Sequence, residues 1–137
     1  MIIRRGTYKD INWYVVITYI GTKCAYVAVP DDIALHVFGN LEENDIDVID
    51  DIIPCIHGGC TYLKRGIFKP SGKFTLRDTS LIETDKWCIG WDYAHFGDID
   101  YVLGSRSRMI SHVSDEIIIQ DAEDVISSII DVANAHI

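Results

Sequence analysis

The sequence predicts an α+β fold: a mostly antiparallel, twisted β-sheet with a C-terminal α-helix packed on one face. Three observations carry this expectation. Isoleucine and valine are prominent among the apolar residues, which make up 48% of the chain, and β-branched side chains suit a pleated surface. Two runs of strand composition, Ile11 to Ile20 and Cys24 to Val29, are joined by Gly21-Thr22-Lys23, the short connection of an antiparallel hairpin. Near the C-terminus, Ala122, Val125, Ile126, Ile129, Ile130 and Ala133 recur at three- and four-residue spacing, the stripe of an amphipathic helix.

Taken in order, the elements follow from local chemistry. Pro30 ends the hairpin, and Asp31 to Asn40 reads as a short helix or irregular excursion, with His36 a surface residue. Asp45 to Ile56 alternates only in part and fits a strand or a short helix. Gly58-Gly59 opens backbone conformations closed to other residues, and Cys60 to Leu63 returns to strand composition. Lys64 to Thr84 is the most polar stretch and reads mostly as a loop, with Phe74 and Leu76 as a brief strand. Trp87, Ile89 and Trp91 then alternate with Cys88, Gly90 and Asp92, as in a strand with two distinct faces. That alternation breaks at Tyr93, so a loop carries the chain to Asp98. Ile99 to Leu103 continues toward an edge, residues 104–108 form a basic turn, and two short apolar segments of open type follow. Asp121 is the expected N-cap of the last helix, with Glu123 and Asp124 in its first turn. The 137 residues are expected to form one domain, 1–137.

A formal net charge of −9 argues against a protein that coats nucleic acid by neutralising phosphates, and no nucleic-acid partner is expected. No apolar run approaches membrane-spanning length, and the N-terminus lacks the apolar core of a secretory signal. The expectation is a soluble protein without a membrane partner. In a reducing cytoplasm the four cysteines would be thiols. A zinc set of Cys55, His57, Cys60 and Cys88 can be written down, but the usual paired spacing is missing, so neither a metal nor another cofactor is expected. Lys64, Arg65, Lys69, Lys73 and Arg77 concentrate positive charge in an acidic chain. They form either a solvated excursion or an anion-binding flap. An exposed sheet edge would leave a homodimer open.

Two segments look built to present a ligand. One is Cys55-Ile56-His57-Gly58-Gly59-Cys60-Thr61-Tyr62; the other runs Trp87-Cys88-Ile89-Gly90-Trp91-Asp92-Tyr93-Ala94-His95-Phe96-Gly97-Asp98. With Ala25-Tyr26-Val27-Ala28-Val29-Pro30 before them, they resemble a group of small proteins common in bacteriophages and prophages. Those proteins share a Tyr-Val-x-Val-Pro strand end and a His-Gly-Gly-x-Thr-Tyr element. A Trp-x-Gly-aromatic-Asp-x-x-His-x-Gly-Asp element and a final helix complete the pattern. The resemblance covers most of the chain from Ile11 onward, and the long basic insertion between the second and third elements departs from it. It implies a viral origin and a role in the cytoplasm of an infected bacterium, and it supplies no activity.

Three functional readings follow from these residues. The leading expectation is a phage-encoded counter-defence protein that sequesters a nucleotide-type immune signal without reaction. Its candidate ligand-binding residues are His57, Gly58, Gly59, Tyr62, Arg65, Asp92, Tyr93, His95 and Asp98. Aromatic rings would stack on a base, glycine N–H groups would approach a phosphate, and Arg65 would neutralise it. That reading places Tyr62, Tyr93 and His95 around one pocket within reach of Arg65 or another loop cation. The second is a metal-dependent hydrolase of a phosphoester or nucleotide using His57, Asp92, His95 and Asp98, donors that suit zinc, manganese or iron. No nucleophile or complete base-orienter set is visible for it. The third is an acidic interaction module that docks on a host defence protein.

Overall fold

In the computed structural model of the chain, residues 1–18, 20–68, 81–95, 98–102 and 108–135 are described. The expected α+β architecture is present. Strands β1 (Ile2–Tyr8), β2 (Ile11–Ile17), β3 (Lys23–Val29), β4 (Tyr62–Phe68) and β5 (Leu81–Asp92) form one antiparallel sheet in the order β1-β2-β3-β5-β4. Helices α1 (Asp31–Phe38) and α2 (Ile46–Ile52) lie between β3 and β4, and α3 (Asp115–Ala135) closes the described chain. Between β5 and α3, β6 (Ile99–Val102) and β7 (Arg108–Ser111) pair as a separate ribbon.

Strand alternation sorts the side chains onto two faces. Trp13 and Val15 of β2, Ala25, Val27 and Val29 of β3, Leu63 of β4, and Trp87, Ile89 and Trp91 of β5 point to the helical side. There they meet Val37 and Phe38 of α1, Ile49 of α2, and Ile118, Ala122, Val125, Ile126 and Ile129 of α3. Each fully buried aliphatic side chain is worth roughly 1.5–3 kcal/mol, so this layer dominates the stability of the fold. The opposite face holds a smaller cluster of Tyr14, Ala28, Ile67 and Cys88, flanked by Tyr26 and Tyr62. Gly90 makes that second cluster possible. Tyr26 and Tyr62 meet edge to face across it, with ring centroids 5.1 Å apart, and a Cβ at Gly90 would sit 2.5 Å from Tyr26 Cδ1.

Several boundaries differ from the sequence reading. β1 was not expected; its arginines and Thr7 hide an edge strand, which pairs with β2 through the positive-φ residues Lys9 and Asp10. Asp45 to Ile56 contains a helix, not a strand. Much of the polar stretch after Lys64 is sheet: β4 runs to Phe68 and β5 begins at Leu81, with the register shifting where Gly66 has φ +81°. The expected brief strand at Phe74 and Leu76 lies outside the described residues, as do Lys69, Lys73 and Arg77. α3 begins at Asp115, so Asp121 lies within the helix and is not its N-cap. Among the described residues, no helix is long and apolar enough to cross a membrane.

Candidate metal centre

The end of β5 and the loop after α2 meet at one point. Asp92 closes β5, and its Oδ1 accepts the N–H of Ala94 (3.2 Å), turning the chain out of the sheet. A second turn follows, in which the Asp98 N–H donates to the His95 carbonyl (2.9 Å) and Asp98 Oδ2 accepts the His95 N–H (3.2 Å). These contacts hold His95 Nδ1 3.1 Å from the same carboxylate oxygen. His112, just past β7, donates its N–H to the Asp98 carbonyl (2.8 Å), which ties the turn to the ribbon.

The partner loop is shaped by two glycines. Gly58 and Gly59 take φ values of +68° and +88°, conformations that carry little cost only without a side chain. The Asp50 carboxylate accepts the Cys60 N–H at 2.7 Å and anchors the loop to α2. Gly58 also makes room: a Cβ there would lie 2.2 Å from His95 Cε1. His57 therefore comes over the Asp98 carboxylate, with Nε2 3.0 Å from Oδ1 and 2.9 Å from Oδ2. Its ring stacks on Tyr93 at 4.5 Å, the planes 18° apart. Tyr93 is fully buried, donates its hydroxyl to Asp121 Oδ2 (2.6 Å) and accepts from Trp91 Nε1 (3.0 Å).

Electrostatically the centre is an ionised carboxylate between two imidazoles. Burial acts to raise the Asp98 pKa, but hydrogen bonds from His57 and from the His95 backbone and ring outweigh it and hold it below the usual carboxylate range. Burial and the bond to Asp121 raise the Tyr93 pKa, so it remains a neutral phenol. The side chains of His57 and His95 are 36% and 42% exposed and that of Asp98 only 10%. The carboxylate is thus sheltered, while the imidazoles face solvent.

His57, His95 and Asp98 offer donor atoms that all lie within 4.8 Å of one another, the group among the described residues able to hold a metal ion. Ligand bonds of about 2.0–2.1 Å place neighbouring donors roughly 2.9–3.4 Å apart around one ion. The imidazole-to-carboxylate separations of 2.9 and 3.1 Å, hydrogen bonds in this structure, fall in that range, and the two imidazoles would close on a shared ion. Two nitrogens and one oxygen suit zinc, iron or manganese and leave coordination positions open.

Of the nine residues nominated from the sequence, His57, Gly58, Asp92, Tyr93, His95 and Asp98 gather here. Tyr93 takes part as a buried support, not as a surface for a ligand. Gly59 faces Asp50 instead, 3.2 Å from where its Cβ would be. Tyr62 lies on the opposite sheet face, donating its hydroxyl to the Gly66 carbonyl. Arg65 pairs with Asp31 and covers the Trp87 ring at 4.6 Å. Trp87 is four strand positions from Trp91, about 13 Å at roughly 3.3 Å per residue. Tyr62 therefore does not border a pocket with Tyr93 and His95, and Arg65 is engaged elsewhere; the other loop cations Lys69, Lys73 and Arg77 lie outside the described residues. Arg65 lines a separate cavity of about 280 Å³ with Asp31, Leu35, Leu41 and Trp87.

The Cys55, His57, Cys60 and Cys88 set does not assemble, since Cys88 belongs to the opposite face. Burial pushes the Cys60 and Cys88 thiols up to about 11 and about 12, away from the thiolate a metal needs. Sequence reasoning missed Asp121, Asp50 and Ser111, whose hydroxyl donates to the Tyr93 carbonyl at 2.5 Å. A signal existed for Asp121, a carboxylate set among the apolar positions Ile118, Ala122 and Val125. No protein-family model matches the chain, and neither a curated protein nor a solved structure matches it.

Proposed function

We propose that the protein is a metal-dependent hydrolase of a phosphoester, with His57, His95 and Asp98 as the ligands of a single divalent ion. The observation that carries this reading is the convergence of His57 Nε2 and His95 Nδ1 on the sheltered carboxylate of Asp98. When bound, such an ion polarises a phosphoryl oxygen as a Lewis acid. Two neutral imidazoles and one carboxylate offset a single charge, so a divalent ion keeps a net positive charge. In a chain of formal charge −9, that is a local attraction for an anionic substrate.

What the chain itself supplies is orientation and access. The Asp98 carboxylate stays ionised in its hydrogen-bonded turn, and the exposed edges of both imidazoles leave room for a substrate. Tyr62 and Arg65, two of the groups that simple sequestration would use, are engaged away from this point, which favours the reading built on the His57, His95 and Asp98 donors. A nucleotide-type signal in an infected bacterium, the substrate setting implied by the phage resemblance, belongs to the same proposal.

The fate of the ligand is the test. Protein loaded with zinc, manganese or iron is incubated with cyclic oligonucleotides and ADP-ribose derivatives, then denatured, and the supernatant is analysed. Cleaved product that disappears in His57→Ala, His95→Ala and Asp98→Ala supports hydrolysis. Ligand bound tightly but recovered intact would return the case to sequestration. No binding, with a host protein co-purifying, would favour the interaction module.

A further inference from the structure

We propose that Tyr93 and Asp121 are positioning residues of this centre: Asp121 fixes the Tyr93 phenol, and the Tyr93 ring fixes the plane of His57. The inference rests on the metal-centre reading above. His57 is followed by two glycines, which carry no side chain to pack against its ring. The restraint comes from behind. Tyr93 presents its face to His57 at 4.5 Å and nearly parallel, which leaves the imidazole edge, and with it Nε2, directed at Asp98.

Tyr93 is held at every polar atom. Its N–H donates to the Lys23 carbonyl (2.9 Å) and its carbonyl accepts from Ser111 Oγ (2.5 Å). Its hydroxyl accepts from Trp91 Nε1 (3.0 Å) and donates to Asp121 Oδ2 (2.6 Å). The last bond brings in α3, which also packs its apolar stripe on the sheet and pairs Asp115 with Lys23 of β3. A carboxylate at the far end of the phenol leaves the ring face electron-rich, and such a face favours an imidazole that shares a metal's positive charge. The stack thus strengthens with metal bound, whereas a purely structural tyrosine would be indifferent to it.

The test combines cobalt(II) titration, followed by visible absorption, with aromatic NMR of the metal-free protein. In the wild type, the His57 ring protons should be shifted upfield by the Tyr93 ring current. Asp121→Ala and Tyr93→Leu should lose that shift, bind cobalt about 10–100-fold more weakly and alter its absorption band. Asp121→Asn, whose amide oxygen can still accept from the phenol, should restore affinity to within about threefold of wild type, well short of the ~10–100-fold loss. If Tyr93→Leu fails to fold, Asp121→Ala carries the comparison. Wild-type affinity and an unchanged band in folded Asp121→Ala would overturn the positioning role while leaving the metal centre intact. Failure of the wild type to bind cobalt would instead overturn the metal-centre reading, and this inference with it.

Discussion

Gly58→Ala tests the site through a residue that offers no ligand atom. A Cβ at this position would approach His95 Cε1, Nε2 and Nδ1 at 2.2, 2.6 and 2.8 Å, well inside contact distance. The φ of +68° adds a backbone cost of about 1–2 kcal/mol for any L side chain. The clash falls on a side chain that is 42% exposed, so His95 can relieve it by swinging into solvent. Stability should therefore drop by only about 1–2 kcal/mol, or roughly 4–7 °C at ~2.1 cal/mol/K per residue. Metal affinity should drop by at least about 100-fold, because one of three ligands leaves, a larger change than loss of an outer contact. Denaturant unfolding of the metal-free protein and calorimetric zinc titration read the two quantities separately. The double variant Gly58→Ala/His95→Ala completes the cycle. Without His95 the added methyl should cost stability through φ alone and should weaken zinc no further than His95→Ala does. Wild-type zinc affinity in Gly58→Ala would refute the reasoning. So would an equal affinity penalty from Gly58→Ala in the His95→Ala background.

Three further outcomes are expected. Gly90→Ala should destabilise the protein by about 1–3 kcal/mol through overpacking against Tyr26 and Tyr62, read as a lower denaturation midpoint, while zinc affinity stays near that of wild type. Alkylation of the folded protein should label the exposed Cys55 first, with Cys60 and Cys88 reacting only on unfolding; mass spectrometry of a time course decides this, and early labelling of Cys88 would contradict it. Stability should also fall in alkali. The folded pKa values of Cys60 and Cys88 stand at about 11 and about 12, above the ordinary thiol range, so their contribution is complete below pH ~8.5 and is lost as pH rises through the folded values, at about 1.4 kcal/mol per pH unit for each thiol. Cys88→Ala should make that slope shallower by about one thiol's share, and identical slopes would exclude the mechanism.

The parts of the fold that were legible are those where one local pattern dominates. The Trp87-Ile89-Trp91 alternation names the core face of β5 because a central strand buries one side completely. The β2–β3 hairpin shows through its composition and short turn. Polar sequence misleads where the structure needs solubility or a partner: the arginines of β1 conceal an edge strand, and Asp121 imitates a helix cap while serving as an acceptor inside α3. The His57 and Asp98 motifs could be nominated, but their meeting depends on β4 pairing beside β5, which no local spacing encodes. The placement of Tyr62 follows from strand alternation. Its neighbour Leu63 faces the helical core, so the two-residue period of a strand puts Tyr62 on the other side.

The order of strands has a kinetic consequence. β3 pairs with β5, Val29 lying opposite Trp87 and Cys24 opposite Asp92, although α1, α2 and β4 intervene in the chain. Closing so long a loop is entropically costly and belongs among the slower events of folding. The β1–β2–β3 meander and α3 can form from near neighbours. His57 and Asp98, however, meet only after β5 has docked between β3 and β4. A centre completed after the main folding barrier adds its binding energy to the native state alone. Metal should accordingly slow unfolding and leave the refolding rate almost unchanged, making the ion a lock on the finished fold, not a nucleus for it.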